Sequence, residues 1–271
     1  MSGIDKVKTG IEIVGEVIRL AGDEPNVKAS AGELGKTALT LTKTINNALL
    51  PLAAVNFAFD KARKYFAEQF EQDLKEKADK IPPERLVEPK ASVAGPALQA
   101  LAFAHEEPTL RDLFLELLAG SMDKNREKLA HPAFVEILKQ LESEEARLIK
   151  SILPSDILPI ASIARVQKKN GGRVVLVRHI LDIRNDATKA PAIIENLATM
   201  IDNWIRLGLV VVDYQSHLTE DSRYSWLADR PEMTSRPAEP DESESKLDWV
   251  KGIVFPTDLG KQFAKAVAIS K

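Results

Sequence analysis

A run without a single charged residue, from Asn47 to Phe59, is the feature that most constrains the fold of this chain. A strongly charged stretch follows it directly, from Asp60 to Lys80. Burial of apolar side chains away from water is favourable, so this run either packs in a protein core as a helix or lies in a membrane. Pro51 interrupts the run, which is also shorter than the ~20 residues that a bilayer crossing requires. We therefore expect a packed apolar helix over about 37–59.

A membrane remains the alternative destination for this segment, about 39–59, if the segment is released from packing. Either destination depends on the same large apolar side chains. The residues that we predict to contact a core, a partner or a membrane are Leu49, Leu50, Pro51, Leu52, Val55, Phe57 and Phe59.

The composition of the chain restricts the chemistry available to it. The 271 residues carry a net charge of −3, so the chain as a whole does not attract nucleic acid or anionic lipid. The absence of cysteine excludes disulfides, thiolate nucleophiles and cysteine metal sites. The first residues mix acidic and basic side chains and are not typical of a secretory signal. We expect a cytoplasmic protein, with the periphery of the inner membrane as the alternative location.

Apolar residues recur at helical spacing through the first half, which predicts a helical domain over residues 1–142. After the apolar helix, the residues 60–80 keep a narrow apolar stripe among charges of both signs and should form one long amphipathic helix. Pro82 and Pro83 end that helix, so 81–91 reads as an extended linker. Further helices are predicted over 92–142.

The second half, 143–271, mixes helices with β-branched runs and resembles a winged helix-turn-helix domain. The sequence therefore predicts a mainly α protein, with a helical N-terminal half and a winged-helix-like α+β C-terminal half that carries a small antiparallel wing. An acidic loop, mobile in character, is predicted over about 229–248 from its Pro, Ser and Glu content. The predicted elements are a helix over Ser143–Leu153, strands over Val174–Val177, Leu209–Tyr214, Tyr224–Trp226 and Ile253–Phe255, and helices over Ala192–Leu207 and Thr257–Ile269.

The charges of this half argue against DNA binding. The helix that would enter the major groove carries Glu195 and Asp202 against Arg206, and the acidic loop would repel phosphates. Nucleic acid is therefore an unfavoured partner. One basic cluster could form a local anion patch: Arg165, Lys168, Lys169, Arg173 and Arg178.

The chain shows no recognisable catalytic motif. His105 and His131 each lack a second metal ligand at helical spacing, and a metal site normally needs three or four convergent ligands. The adjacent pairs Glu106-Glu107 and Glu144-Glu145 do not face one another on a helix. We accordingly predict no catalytic, cofactor-binding or metal-binding residues and no enzymatic activity.

Several short motifs together resemble the Abi-alpha (abortive infection alpha) family of bacterial proteins. The resemblance is strongest over about Thr37–Leu153 and weaker through Leu207-Gly-Leu209 and Thr257-Asp-Leu-Gly260. It rests on Leu49-Leu-Pro-Leu52, Pro82-Pro-Glu-Arg-Leu-Val-Glu-Pro89, Val93-Ala-Gly-Pro-Ala-Leu98, Leu118-Ala-Gly-Ser-Met-Asp-Lys124 and His131-Pro-Ala-Phe-Val-Glu-Ile-Leu-Lys-Gln-Leu141. The resemblance implies a role in bacteriophage resistance by abortive infection, and it implies no catalytic residue.

Three hypotheses follow for the way in which such a protein acts. The first is a non-enzymatic interaction or sensing protein that binds a macromolecule, a phage or host protein. The second is an effector that perturbs a membrane with the apolar segment. The third is a winged-helix DNA-binding regulator. The sequence predicts no cofactor and leaves the oligomeric state open.

Overall fold

The structure of the chain is a computed structural model that describes residues 56–235 and 244–269. About half of these residues are helical, and the only sheet among them is four-stranded and antiparallel. The chain divides into two compact units. Among the described residues, one unit contains 56–147 together with 263–269, and the other contains 148–235 and 244–262.

Short amphipathic helices build the described part of the first unit. The predicted charged helix over 60–80 is two helices, because the chain leaves helical geometry at Gln69. The backbone hydrogen bond from Gln69 N–H to Tyr65 O, 2.9 Å long, continues across this point. The helices are α1, Asn56–Glu68; α2, Phe70–Ala78; α3, Ala91–Ala104; α4, Pro108–Ser121; and α5, Pro132–Leu138.

Helix α3 forms the centre of the first unit, since it packs against α1, α4 and α5. Its mainly small and aliphatic residues are buried on more than one side, as in Val93, Leu98 and Leu101. From α5, Phe134 is buried and meets the ring of Phe263 edge-on, with centroids 5.7 Å apart. Aromatic pairs of this geometry add stabilisation beyond their buried area.

The segment 81–91 is not the extended linker that the prolines predicted. Pro83–Arg85 form a 3₁₀ turn, and the chain after it pairs with the end of α4. Val87 N–H donates to Met122 O at 2.8 Å, and Lys124 N–H donates to Arg85 O at 2.9 Å. The prolines do stop the preceding helix, but these hydrogen bonds fix the segment to the first unit.

The second unit is built on the sheet, with strand order β2-β1-β4-β3. Strand β1 is central because it pairs with β2 and with β4, and its residues 160–164 are buried in succession. Helix α7 packs against β2 and β3 and buries Trp204 completely. The elements are α6, Ser143–Ile152; β1, Leu158–Gln167; β2, Arg173–Ile180; α7, Leu197–Arg206; β3, Val210–Asp213; α8, Pro231–Thr234; β4, Ser245–Pro256; and α9, Asp258–Ala266.

Several predicted elements of this half need correction. Tyr224–Trp226 lie in a 3₁₀ helix, Asp221–Asp229, and not in a strand. The helix predicted from Ala192 begins at Leu197, since Asn196 has a left-handed backbone with φ of 59°. The predicted acidic loop over 229–248 contains α8 and the first residues of β4, and its residues 236–243 lie outside the described part of the chain.

A fully buried arginine holds the connection between β2 and α7 in the second unit. Arg230 donates to the backbone carbonyls of Ile183 and Ala192, at 3.1 and 3.0 Å. Its guanidinium also forms a two-point ion pair with the carboxylate of Glu232. All three nitrogens of the guanidinium therefore donate hydrogen bonds inside the protein, and its charge is paired.

Candidate functional site

The hairpin of β1 and β2 presents the predicted anion patch. Its connection, 168–172, is closed by Gln167 N–H, which donates to Gly172 O at 2.8 Å. Gly171 has φ of +69°, a left-handed conformation that glycine adopts without strain. The side-chain oxygen of Asn170 accepts from Gly172 N–H at 2.9 Å, which stabilises the same turn. Asn170-Gly-Gly172 therefore forms the tight part of the connection between β1 and β2.

Four of the five patch residues lie at the turn end of this hairpin. Lys168, Lys169 and Arg173 are exposed there, and Arg165 is half-buried beside them on β1. Arg178 is exposed further along β2, close enough to His179 for its charge to lower the pKa of that imidazole. No aspartate or glutamate lies between Arg165 and Arg178 in the sequence. We call residues 168–178 the basic hairpin.

In the sheet of the described residues, strand β2 is an edge strand, and it carries apolar side chains into solvent. Val174 is 56 % exposed and Val175 is 43 % exposed, although neighbouring residues of a strand point to opposite faces. The first part of β2 is therefore uncovered on both faces. An edge of this kind offers unpaired backbone groups to an added strand.

At the other end of β2, His179 joins three elements of the second unit. Its backbone N–H donates to the Tyr214 hydroxyl at 3.2 Å, and its Nδ1 lies 3.2 Å from the same oxygen. Its Nε2 lies 3.2 Å from a carboxylate oxygen of Asp202 on α7. His179 has φ of 58°, a conformation that is uncommon for residues other than glycine. Sequence reasoning missed this cluster because its members are 23 and 35 residues apart.

The surroundings of His179 favour the neutral imidazole. Burial lowers the pKa of His179 from its usual range, and the charge of Arg178 lowers it further, against the opposing carboxylate of Asp202. Burial also raises the pKa of the Tyr214 phenol. A neutral ring that donates from Nε2 to Asp202 and accepts at Nδ1 satisfies both neighbours. The imidazole is buried, so this cluster holds β2, β3 and α7 together.

The stability of the second unit should therefore fall as the pH falls below about 6.5, where histidine of the unfolded chain takes up a proton that folded His179 resists. Between pH 7.5 and 5.5, His179→Asn should lose less free energy of unfolding than the parent protein. Asparagine suits the left-handed backbone at this position. Denaturant unfolding at both pH values measures the difference.

Asp202→Asn is the matched variant for this experiment, and its effect has the opposite sign. Removing the carboxylate lowers the pKa of folded His179 further, so the stability of that variant should depend more steeply on pH. Equal pH dependence in the parent protein and His179→Asn would contradict the assignment.

The first unit has an open apolar groove of about 300 Å³ between the ends of α3, α4 and α5. Phe103 is 56 % exposed at this groove, which is unusual for so large an apolar side chain. Glu107 and Lys139 supply its charged groups, and both are exposed. The apolar lining includes Phe103, Ala104, Leu110, Phe114, Leu138 and Leu141.

The predicted partner or membrane segment lies outside this description. Leu49, Leu50, Pro51, Leu52 and Val55 precede the described residues, and of Phe57 and Phe59 only the helical backbone of α1 is described. Within residues 56–235 and 244–269, no helix combines the length and the apolar character needed to cross a bilayer.

The histidines and carboxylates singled out in the first half bond to nearby groups of the first unit. His105 places Nδ1 3.0 Å from Ala102 O and stacks on Tyr65, and His131 accepts from Ala133 N–H at the start of α5. Glu106 pairs with Lys61 at 2.6 Å, and Glu107 accepts from the Ser143 hydroxyl. No group of three or more residues of metal-ligand type is present in the described parts of the chain.

The motifs behind the family resemblance meet in two pairs. In the first unit, Arg85 of the Pro82–Pro89 motif forms a two-point ion pair with Asp123 of the Leu118–Lys124 motif. Although burial opposes ionisation, this guanidinium lowers the pKa of Asp123. In the second unit, Thr257 donates from its N–H to Leu209 O at 3.0 Å and from its hydroxyl to Gly208 O. These motifs therefore form hydrogen bonds and an ion pair that stabilise each unit internally.

Together these features define, over the described residues, a protein that is about half helical, contains a four-stranded antiparallel sheet and exposes a basic hairpin and an apolar groove. The chain belongs to the abortive infection alpha family, whose family model matches residues 62–267, about three quarters of the sequence. This match confirms the resemblance, although the Leu49–Leu52 motif precedes the matched range. The family places the chain in abortive infection defence. Neither a curated protein nor a solved structure matches it.

Proposed function

We propose that this abortive-infection protein acts as a non-enzymatic interaction protein that binds a phage or host protein through the basic hairpin. The observation that carries the proposal is an exposed edge strand, β2, with uncovered valines on both faces and cations around them. Strand addition uses backbone hydrogen bonds for affinity and side chains for selectivity. The hairpin therefore suits an extended acidic segment of a partner.

The charges of the basic hairpin also decide which strand it accepts. Lysine and arginine at an edge oppose pairing with a second copy, because like charges meet. The same cations attract aspartate and glutamate, with a range set by the salt concentration. An acidic partner is thus favoured over self-association.

Lys168→Ser, Lys169→Ser and Arg173→Ser combined should abolish phage protection in a bacterial host. Plaque counts should rise to those of cells without the gene, because the electrostatic attraction of the partner is lost. All three residues are exposed, so the abundance and thermal stability of the protein should stay unchanged. Plaque counts with parallel immunoblots make the measurement.

The matched control removes three exposed lysines elsewhere: Lys124→Ser, Lys128→Ser and Lys261→Ser. It makes the same change in net charge and should keep full protection. Protection by the hairpin variant at equal abundance would refute the proposed role of the hairpin. A synthetic peptide of alternating valine and glutamate should bind the parent protein and not the hairpin variant.

A winged-helix DNA-binding role is the second candidate, favoured by the succession of α7, β3 and β4 and by the pairing of β3 with β4. Against it, α7 exposes Asp202, whose side chain is 65 % accessible. A gel shift with double-stranded DNA that weakens steeply with salt would replace the proposed protein partner by nucleic acid. Recovery of the protein in the membrane fraction during phage challenge would support the membrane-perturbing alternative.

A further inference from the structure

The pairing of β1 with its two neighbours shows which way its backbone groups point near the hairpin turn. Gln167 N–H donates to Gly172 O, just before β2, and Lys168 N–H donates to Glu244 O, just before β4, each at 2.8 Å. Backbone N–H and C=O groups alternate between the two sides along a strand. The odd-numbered residues in this part of β1 therefore face β2, and Arg165 is one of them.

The direction of the backbone groups of β2 follows from this alternation. Val174 lies opposite Arg165, so its N–H and C=O groups face β1. Those of Arg173 and Val175 therefore point away from β1, to the open edge of the described sheet. The side chains of these two residues share one face of the sheet, and the side chain of Val174 lies on the other face. A strand added at this edge would bond to the backbone of Arg173 and Val175.

Irregular pairing limits the length of this open edge. Ala164 lies opposite Val175, whereas the next residue, Ile163, lies opposite Val177, so β2 carries one extra residue between them. The register shifts once more further along the same pair of strands. A bulge bends the strand and interrupts its regular pairing. Regular pairing with an added strand is therefore confined to Arg173–Val175.

The two residues at the open edge carry different side chains. Arg173 is cationic and exposed, whereas Val175 is apolar and 43 % exposed. Directly opposite side chains of paired strands interact, so an acidic residue suits the position opposite Arg173 and an apolar residue suits the position opposite Val175. The charge of Arg173 also acts on Asp248, although that carboxylate pairs with Lys246 at 2.8 Å on β4.

We infer that the basic hairpin selects an antiparallel strand in which an apolar residue precedes an acidic residue by two positions. The apolar residue lies opposite Val175, and the acidic residue lies opposite Arg173. All pairs of strands in the described sheet are antiparallel, and this arrangement is slightly the more stable one. Past Arg173 the added strand reaches the turn, where the exposed Lys169 favours a further acidic residue. This inference rests on the proposed function and adds the order of the partner's side chains.

Fluorescence anisotropy with labelled peptides of one composition tests this order on the full-length protein. Each peptide contains one valine and two glutamates among threonines. In the first peptide the glutamates follow the valine by two and four positions, and in the second they precede it at the same spacings. Two matched cross-strand pairs should make the first peptide bind at least about fivefold more tightly. Equal affinities, or tighter binding of the second peptide, would overturn the inferred order.

Arg173→Glu tests the contact of this side chain with the acidic residue. The variant should bind the first peptide less tightly and should prefer, by about fivefold, a peptide with lysine in place of the glutamate nearer the valine. Lys169→Glu is the matched control, since it makes the same change in net charge at the turn. It should weaken the binding of acidic peptides but keep the preference for glutamate at that position. The same preference in both variants would contradict the contact, and urea unfolding shows that both are folded.

A peptide of alternating valine and glutamate, with the same two glutamates, separates this inference from the proposed function. Alternation places like residues opposite Arg173 and Val175, so this peptide should bind more weakly than the first one. If it binds the parent protein and not the hairpin variant, while the order of residues makes no difference, the inference fails and the proposed function stands. If no peptide distinguishes the parent protein from the hairpin variant, both fail.

Discussion

Gly260→Ala should destabilise the second unit by at least about 2 kcal/mol, although alanine is the better helix former. A Cβ atom built on Gly260 would lie 2.1 Å from Leu209 O and 3.0 Å from Leu209 C. These are backbone atoms at the start of β3, in a residue that is fully buried. The gain in helix propensity is about 1 kcal/mol, and a clash with backbone outweighs it.

The capping of α9 increases this cost. Thr257 precedes the helix, and its hydroxyl oxygen accepts from Gly260 N–H at 2.9 Å. The same hydroxyl donates to Gly208 O. A shift of α9 that relieves the clash would lengthen both hydrogen bonds, and loss of a helix cap alone costs about 1 kcal/mol.

Tryptophan fluorescence in urea measures this effect on the second unit alone. All three tryptophans of the chain, Trp204, Trp226 and Trp249, belong to that unit. The control is Lys261→Ala, at an exposed neighbour on the same helix, and it should change the free energy of unfolding by less than about 0.5 kcal/mol. An alanine variant as stable as the parent protein would rule out the close approach of α9 and Leu209.

Arg230→Ala should cost about 3 kcal/mol or more, because removing one member of a buried ion pair leaves the other charge without that partner. The side chain of Glu232 is only 15 % accessible. The carbonyls of Ile183 and Ala192 also lose their guanidinium donors. The connection between β2 and α7 would loosen, and the second unit should unfold at lower urea concentration.

Arg230→Lys separates the geometry of this site from its charge. Lysine keeps the charge but cannot bond both carboxylate oxygens and both carbonyls from one plane, so an intermediate loss is expected. Arg223→Ala, at an exposed residue of the preceding 3₁₀ helix, is the control and should be nearly neutral. If Arg230→Ala and Arg223→Ala have the same urea midpoint, the hydrogen bonds and the ion pair of Arg230 contribute nothing to stability.

The helices of the first unit were predictable because their apolar spacing reflects burial of one face. The exception is the break between α1 and α2 at Gln69, where the local sequence contains no glycine or proline. The linker was also predicted wrongly. Its prolines mark the end of a helix, but the pairing of Val87 with Met122 is a long-range contact that no local pattern indicates.

Two errors in predicting the strands show where the spacing of apolar residues does not indicate secondary structure. Strand β1 escaped prediction because it is central and buried on both faces, and a short apolar run of that kind is indistinguishable from a buried helix. Tyr224 and Trp226 alternate with exposed residues and so imitate a strand. Their burial instead comes from a 3₁₀ helix, where the Tyr224 hydroxyl donates to Gly252 O at 2.7 Å.

A site could be predicted from the sequence only where its residues are close together in the sequence. The basic hairpin is one contiguous stretch of sequence, and its residues Asn170-Gly-Gly172 are typical of a turn. The cluster of His179, Tyr214 and Asp202 and the clamp of Arg230 are assembled from distant segments, so only coordinates reveal them. The sequence also predicted one division of the chain, at residue 142. Such a division assigns residues 263–269 to the second half, whereas they belong to the first unit.

That placement has a consequence during protein synthesis. A ribosome makes the residues up to 147 early, yet Phe263, which packs on Phe134, emerges only after the whole sheet has been translated. Because domains tend to fold as they leave the ribosome, the inserted sheet can fold first and the helical part closes last. A chain released before Phe263 is made would leave Phe134 without this packing partner, and such incompletely folded chains are substrates for proteases.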